Sequence, residues 1–136
     1  MEKYKKVFLS ISKLYKVNLL ITTNFKYKAS YLFKTQTIEI SNQLFKSNSF
    51  FKEEYLIYAF LHELSHHIQN QFYSKLRLKI TRSIPYLYYL YEKQADKIAY
   101  NLYKNNFSNL FKIFIDKNFF LGYNSYEIFK NTYKKG

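Results

Sequence analysis

The sequence predicts a single α+β domain over residues 1–136, with an N-terminal helix, a small mixed or antiparallel sheet of about three strands, and further helices. Three observations support this. Only two glycines and one proline interrupt the chain. Apolar residues recur at helical spacing in most segments. Between residues 17 and 41, by contrast, β-branched residues are common, and in part of this stretch they alternate with polar residues. Both patterns favour strands. This order of elements is typical of the α+β class.

The N-terminal part is predicted to contain one helix and the whole sheet. Residues 3–16 interleave lysines with apolar residues at helical spacing and should form the first helix. The short stretch 17–25 is rich in β-branched residues and should be a strand. Residues 30–41 should form a hairpin whose second strand places Ile38 and Ile40 on one face.

A long central helix should begin after residues 47–49 and continue to about Phe72. The two serines and the asparagine at 47–49 can cap its start, and Glu53 and Glu54 lie where the helix dipole favours acidic groups. One apolar stripe should face the core, formed by Ile57, Leu61, Leu64, Ile68 and Phe72.

The C-terminal part is predicted to be helical. Pro85 should begin a second long helix that covers residues 86–106, and residues 107–119 should form a further helix. Gly122 and Asn124 predict a turn before a last short helix. The basic cluster at residues 73–82 fits a solvated face of either a helix or a strand.

Composition excludes several classes of protein. The chain has no cysteine, which rules out a disulfide framework and a thiol nucleophile. No stretch approaches the ~18–20 uninterrupted apolar residues of a membrane span, and the basic N-terminus lacks a cleavage site, so we expect a cytoplasmic protein without a membrane partner. The net charge of +13 indicates either attraction to nucleic acid or an acidic partner, or lysines scattered over solvated faces.

All three histidines lie in the stretch LHELSHHIQN, residues 61–70, where His62, Glu63 and His66 form the pattern H-E-x-x-H. Residues four apart share a helix face, so both imidazoles can bind one metal ion. Glu63 is turned by about 100° and can act as general base on a metal-bound water. His67 is turned away from His66 by a similar angle and should not join the site. Because the apolar stripe lies elsewhere, the histidine pair should line a surface or cleft.

A third ligand must come from another element. Catalytic zinc usually has three protein ligands, and the absence of cysteine and of distant histidines requires a carboxylate. Position along the chain leaves Glu92, Asp96 and Asp116 as candidates. Glu92 and Asp96 lie four apart on one helix face, where one can bind the metal and the other can orient a ligating histidine. An ordinary solvated helix face is the alternative interpretation of this pair.

The stretches HELSHHIQ and EKQADKIA resemble the gluzincin metallopeptidases, in which H-E-x-x-H is followed by E-x-x-A-D. Among these, the chain looks most like the small ImmA/IrrE type, which also has a helix and a hairpin before its zinc helix. The resemblance covers roughly residues 28–100 and implies a zincin-like fold. It also implies the following roles: zinc ligands His62, His66 and Glu92, general base Glu63, and Asp96 as support for a ligand histidine.

The function that the resemblance implies is a zinc-dependent endopeptidase that hydrolyses peptide bonds of a protein substrate. Peptidases of this type cut DNA-binding repressors, so the implied partner is a repressor, which a +13 chain could reach on DNA. The donor that stabilises the oxyanion stays open among sixteen tyrosines, of which Tyr55 and Tyr73 lie near the histidine face. The rival function is a basic nucleic-acid- or protein-binding module with a structural or vestigial metal site. Proteases that clear DNA-crosslinked proteins rank lower because they generally use a third histidine ligand.

Overall fold

The computed structural model describes residues 2–23, 29–46 and 53–121 and confirms the α+β architecture. Its elements, in chain order, are α1 (Lys3–Leu14), β1 (Asn18–Thr22), β2 (Ala29–Leu32), β3 (Thr37–Ser41), a 3-10 turn (Asn42–Phe45), α2 (Glu53–Asn70), α3 (Lys75–Ser83), α4 (Pro85–Leu102), a π-helical turn (Tyr103–Phe107), α5 (Ser108–Phe111) and α6 (Lys117–Leu121). The predicted cap at residues 47–49, the turn at Gly122 and Asn124, and the last short helix lie outside the described residues.

The sheet has three strands in the order β1-β3-β2, with β3 in the centre. β3 pairs in parallel with β1 and in antiparallel with β2, which confirms the predicted hairpin. Ile38 and Ile40 of β3 are fully buried, whereas Glu39 points to the other face and is half-buried. The alternation of side chains along β3 therefore anchors one face of the sheet in the core.

Helix α2 is the central element of the fold. It packs on β2 and β3, and α4 packs against it as well. Phe60 of α2 stacks on Phe8 of α1, with ring centroids 4.1 Å apart and ring planes 6° from parallel. Because α1, the sheet and α4 all contribute to covering α2, nearly every side chain of this helix from Tyr55 to His67 is buried.

Two expectations about α2 are wrong. The helix ends at Asn70, so Phe72 no longer continues the apolar stripe and its side chain is 77% exposed. His62 and His66, expected on a surface or in a cleft, are only 1% and 5% exposed. The histidine face is buried because α4 packs against α2, an arrangement that the periodicity of α2 alone does not reveal.

The predicted helix over residues 107–119 is also wrong as a single element. The structure has two short helices there, α5 and α6, and Lys112 adopts a left-handed backbone conformation (φ 54°) that ends α5. The hydroxyl of Tyr103 donates to the carbonyl of Ile113 and accepts from the N–H of Ile115. These two bonds tie the segment between α5 and α6 to the end of α4. Across the described residues, no helix is both long and apolar enough to cross a membrane.

Candidate metal centre

His62 and His66 project from the same face of α2, as the spacing of four predicts. Their ring centroids are 4.7 Å apart and the ring planes are 86° from parallel. Both residues lie in the middle of an 18-residue helix whose first turn contains Glu53 and Glu54. A long, packed helix holds its i and i+4 side chains rigidly, so the two imidazoles form a preorganised pair.

The Nδ1 atom of each of these rings has a hydrogen-bond acceptor. Nδ1 of His62 lies 2.8 Å from Oδ1 of Asp96, and Nδ1 of His66 lies 2.7 Å from Oε1 of Gln69. Carboxylate and amide oxygens only accept hydrogen bonds, so both Nδ1 atoms carry the proton. In the neutral rings, the lone pairs are therefore on the Nε2 atoms, which is the tautomer that binds metals through Nε2.

Glu92 of α4 brings one carboxylate oxygen to both Nε2 atoms. Its Oε2 lies 2.7 Å from Nε2 of His62 and 3.3 Å from Nε2 of His66. Asp96, four residues later on the same helix face, reaches the other nitrogen of His62. Ala95 of α4 is fully buried, and its small side chain allows α4 to approach α2 closely. The structure thus unites the residues that the two motifs contain.

Burial and ion pairing control the charges in this cluster. Burial alone would lower the pKa of His62, but its hydrogen bonds with Asp96 and Glu92 outweigh burial and raise the pKa to about 10. Burial also disfavours the charged form of Glu92, yet the neighbouring His66 and His62 hold the pKa of this carboxyl well below its usual range. In the metal-free chain, His62 is therefore an imidazolium between two carboxylates. The two carboxylates therefore stabilise a positive charge at the position of this ring.

Glu63 lies beside the pair and is buried. Ligand atoms of His62, Glu63 and His66 all lie within 4.8 Å of one another, so this buried group could hold a metal ion. The charge of Glu63 also contributes to raising the phenol pKa values of Tyr88 and Tyr91, after burial and the charge of Glu92. Glu63 is therefore close to the imidazole nitrogens of the pair and to two tyrosines of α4.

Several residues of the cluster were missed in the sequence. Gln69 accepts from His66, and its Nε2 donates to the carbonyl of Tyr91 and to Oε1 of Gln94. The buried hydroxyl of Tyr58 donates to Oδ1 of Asp96 at 2.7 Å. Helical spacing could have found both, because Tyr58 lies four residues before His62 and Gln69 lies three residues after His66.

The structure also places Tyr88 at the cluster. It lies one turn before Glu92 on α4, is half-buried, and its hydroxyl hydrogen-bonds the Glu92 carboxylate. The two tyrosines singled out from the helical face lie elsewhere. Tyr55 packs against Phe119, and the hydroxyl of Tyr73 lies 3.5 Å from Oε1 of Gln94.

Two residues considered from the sequence take no part in the cluster. His67 uses both ring nitrogens elsewhere: Nδ1 lies 2.8 Å from the hydroxyl of Tyr31, and Nε2 lies 3.0 Å from the carbonyl of Tyr15. Asp116 is exposed, and its Oδ1 accepts from the backbone N–H of Asn118 at the start of α6. Of the three carboxylates considered as a ligand from another element, the structure therefore places Glu92 and Asp96 at the histidine pair and Asp116 away from it.

Comparisons of this chain with protein-family models, with curated proteins and with solved structures find no match. The resemblance to the ImmA/IrrE type therefore depends on the two motifs alone. The structure adds the spatial arrangement of the residues that those motifs contain.

Proposed function

We propose that this chain is a zinc-dependent endopeptidase whose metal ligands are His62, His66 and Glu92. The single observation that carries the proposal is the position of Oε2 of Glu92, within 3.3 Å of both Nε2 atoms. The two nitrogens come from α2 and the oxygen from α4, so helix packing creates the group. Isolated helical histidine pairs do not have such a third donor.

The donor set fits zinc. Two imidazole nitrogens and one carboxylate oxygen are a known ligand set of catalytic zinc sites, which keep a further position for water. Zinc bonds of about 2.0 Å in tetrahedral geometry place donor atoms about 3.3 Å apart. The distance between His66 and Glu92 equals this value, whereas the shorter distance between His62 and Glu92 is that of a hydrogen bond through a proton that an ion would replace. Glu92 is the better ligand than Glu63 because one of its oxygens faces both nitrogens.

Each of the remaining residues has a role that its contacts support. Zinc, when bound, supplies a Lewis acid that polarises a carbonyl and lowers the pKa of a coordinated water to about 7. Glu63 accepts a proton from the attacking water and transfers it to the leaving amine. Asp96 and Gln69 hold the two ligand rings in the Nδ1–H tautomer. Tyr88 donates its hydroxyl to the oxygen of the scissile carbonyl as negative charge develops there.

The first experiment compares cleavage by the wild type and by Glu63→Gln. Purified protein with one equivalent of zinc is incubated with a mixture of proteome-derived peptides, and new termini are identified by mass spectrometry. We expect the wild type to produce new termini and Glu63→Gln to be slower by about 10³-fold, because the amide cannot accept the proton. Zinc content should be equal in both.

Glu54→Gln is the matched control, since Glu54 lies in the first turn of the same helix and outside the cluster. Its cleavage rate should equal that of the wild type. Equal cleavage by the wild type and Glu63→Gln would remove Glu63 from the mechanism. If the zinc-loaded wild type cleaved none of the peptides, the result would contradict the peptidase proposal.

The net charge of +13 supports an extension of the proposal, namely a substrate that is a DNA-binding repressor on its operator. Association of a cationic enzyme with such a complex is faster at low ionic strength, because the phosphates attract it. We therefore expect kcat/KM for a repressor bound to DNA to fall steeply with added salt. Cleavage of the free repressor should be much less salt-dependent. Equal salt dependence for both would contradict this extension.

A further inference from the structure

A groove runs between α3 and α4 on the side of the molecule next to the metal centre. We call it the α3–α4 groove. Its volume is about 510 Å³ and its lining includes Tyr73, Leu76, Arg77, Ile80, Leu90 and Tyr91. None of the residues with a role in the proposed peptidase site lines this groove.

Large apolar side chains of the groove are exposed. Leu76 is 68% exposed, Ile80 46% and Leu90 42%. Leu76 and Ile80 lie four residues apart on α3, and Leu90 belongs to α4, so the three side chains come from both walls. Clustered exposed apolar side chains next to a concavity are typical of a surface that binds a partner.

The helix that forms one wall of the groove, α3, carries cationic side chains and no carboxylate. Between Glu63 and Glu92 the sequence has four cationic side chains and no carboxylate; the cations are Lys75, Arg77, Lys79 and Arg82. All four are exposed, and none forms an ion pair within the part of the chain that the structure describes. Arg77 lies over the ring of Tyr73, at 4.5 Å from its centroid, and so holds its charge at the rim of the groove.

Tyr91, which lines the groove, has a buried hydroxyl without a partner. Tyr91 is 3% exposed, and its Oη has no hydrogen-bond partner among the described residues. Its ring stacks on His66 with centroids 4.8 Å apart and planes 18° from parallel. A buried hydroxyl that lacks an acceptor costs free energy, and a ligand's carbonyl or carboxylate oxygen recovers it once the side chains around the hydroxyl shift to admit that oxygen.

We propose that the α3–α4 groove docks a segment of the protein substrate that presents leucine-sized apolar side chains beside aspartate or glutamate. The apolar side chains bind between Leu76, Ile80 and Leu90, an acidic group pairs with Arg77 in the lining of the groove, and an oxygen of the segment accepts from Tyr91. Only the identification of this segment as part of a substrate rests on the proposed function, because docking itself does not require catalysis.

The same surface fits nucleic acid or a membrane less well. A phosphate backbone would use the cations but offers nothing to the exposed leucine and isoleucine side chains. An anionic bilayer would use both, yet its surface is flat and does not fill a concave groove. A peptide segment matches the charge, the apolar walls and the orphan donor together.

The test measures binding of three fluorescein-labelled peptides of about 12 residues by fluorescence anisotropy. The first has leucines at helical spacing and glutamates elsewhere, the second has lysine for each glutamate, and the third has serine for each leucine. Binding is measured with the zinc-loaded Glu63→Gln protein, so that no peptide is cut. We expect the leucine–glutamate peptide to bind at least about tenfold more tightly than either of the others.

Matched variants separate the two contributions. Leu76→Ser should weaken binding of the leucine–glutamate peptide about tenfold. Leu14→Ser on α1 is its control, because Leu14 is 71% exposed and lies outside the groove. Arg77→Gln should also weaken binding about tenfold at low salt. Its control is Lys13→Gln, at an exposed lysine of α1 outside the groove.

Tyr91→Phe tests the contribution of the Tyr91 hydroxyl. Phenylalanine keeps the stack on His66 and removes only the hydroxyl, so zinc affinity should not change. We expect the peptide to bind about threefold to tenfold more weakly, the effect of one lost hydrogen bond. Retention of full peptide affinity would remove Tyr91 from the docking site.

The outcomes test the docking site and the peptidase proposal separately. Equal binding of all three peptides, or equal losses in the α1 controls, would overturn the docking site. So would preferential binding of a DNA duplex, or of vesicles containing phosphatidylserine, that is lost in the same groove variants. Peptide binding as predicted, in a protein that cuts no peptide, would leave docking established and refute only the peptidase. Cleavage without peptide binding would refute only the docking site.

Discussion

His66 and His67 are adjacent in the sequence and both are buried in α2, yet their rings are used in opposite ways. His66 has Gln69 as acceptor at Nδ1, and its Nε2 faces Glu92. His67 has a backbone carbonyl as acceptor at Nε2, so its Nδ1 accepts from the hydroxyl of Tyr31. The two rings are therefore opposite tautomers in their neutral forms.

The difference teaches that the partner of the second nitrogen determines what a histidine can do. An imidazole whose two nitrogens both bond to structural neighbours has no lone pair for a metal, however close the metal lies. His67 instead connects α2 to β2 and to the end of α1. Clustering of three histidines thus combines one candidate ligand pair with one structural residue.

Removal of a proposed metal ligand should have the largest effect. His66→Ala should abolish zinc binding and cleavage, because two donors bind the ion far more weakly than three. His67→Ala should keep one zinc per chain, although the free energy of unfolding of this variant should be lower than that of the wild type. Elemental analysis of the purified proteins measures this, alongside Glu92→Ala, which should behave like His66→Ala. Loss of zinc from a folded His67→Ala protein would erase the contrast between the neighbours.

Removal of the candidate oxyanion donor should have the next largest effect. Tyr88→Phe should lower kcat about 10²-fold, because a donor to the developing charge is lost. Zinc affinity should stay close to that of the wild type. Tyr73→Phe is the control, since its hydroxyl lies near Gln94 rather than Glu92. An unchanged kcat in Tyr88→Phe would assign the oxyanion to another group.

Changing the partners rather than the rings sharpens the comparison. Gln69→Leu should weaken zinc binding about 10–100-fold, measured by competition with a chelator, because His66 loses the acceptor that fixes its tautomer. Tyr31→Phe should leave zinc affinity unchanged and lower the free energy of unfolding by about 1–3 kcal/mol, since Nδ1 of His67 loses its donor in a buried position. If Tyr31→Phe released zinc, His67 would be coupled to the metal centre.

The smallest effect is an opposite response to pH in metal-free protein. Burial lowers the pKa of His62 less than its carboxylate partners raise it, to about 10, so its stabilisation is complete below pH 6.5 and lost as pH rises through 10. Burial lowers the pKa of His67, so its stabilisation is present above pH 6.5 and lost as pH falls through the lowered value.

Urea denaturation in the presence of a chelator measures both responses. Compared with the wild type, His62→Phe should lose less stability between pH 6.5 and 10, and His67→Phe should lose less on acidification below pH 6.5. Parallel pH dependence of the two variants would contradict the assignment of one charged and one neutral ring.

Much of the fold followed from local patterns, and the failures share a cause. The hairpin of β2 and β3 and the start of α4 at Pro85 are confirmed, because alternation and an N-terminal proline act within a few residues. The break between α5 and α6 was missed, because the bonds of Tyr103 that hold it connect residues 10 and 12 apart in sequence. A periodicity argument contains no such contact.

The amino-acid sequence alone determined that His62 and His66 share a helix face and that Glu92 and Asp96 share another, since both follow from the geometry of one helix. Only the tertiary structure decided that these faces meet, that Gln69 and Tyr88 join them, and that His67 bonds elsewhere. It also decided that the site is buried. The reason is physical: helix periodicity orients side chains around an axis, whereas the packing of α4 on α2 depends on the shape and burial of every residue between them.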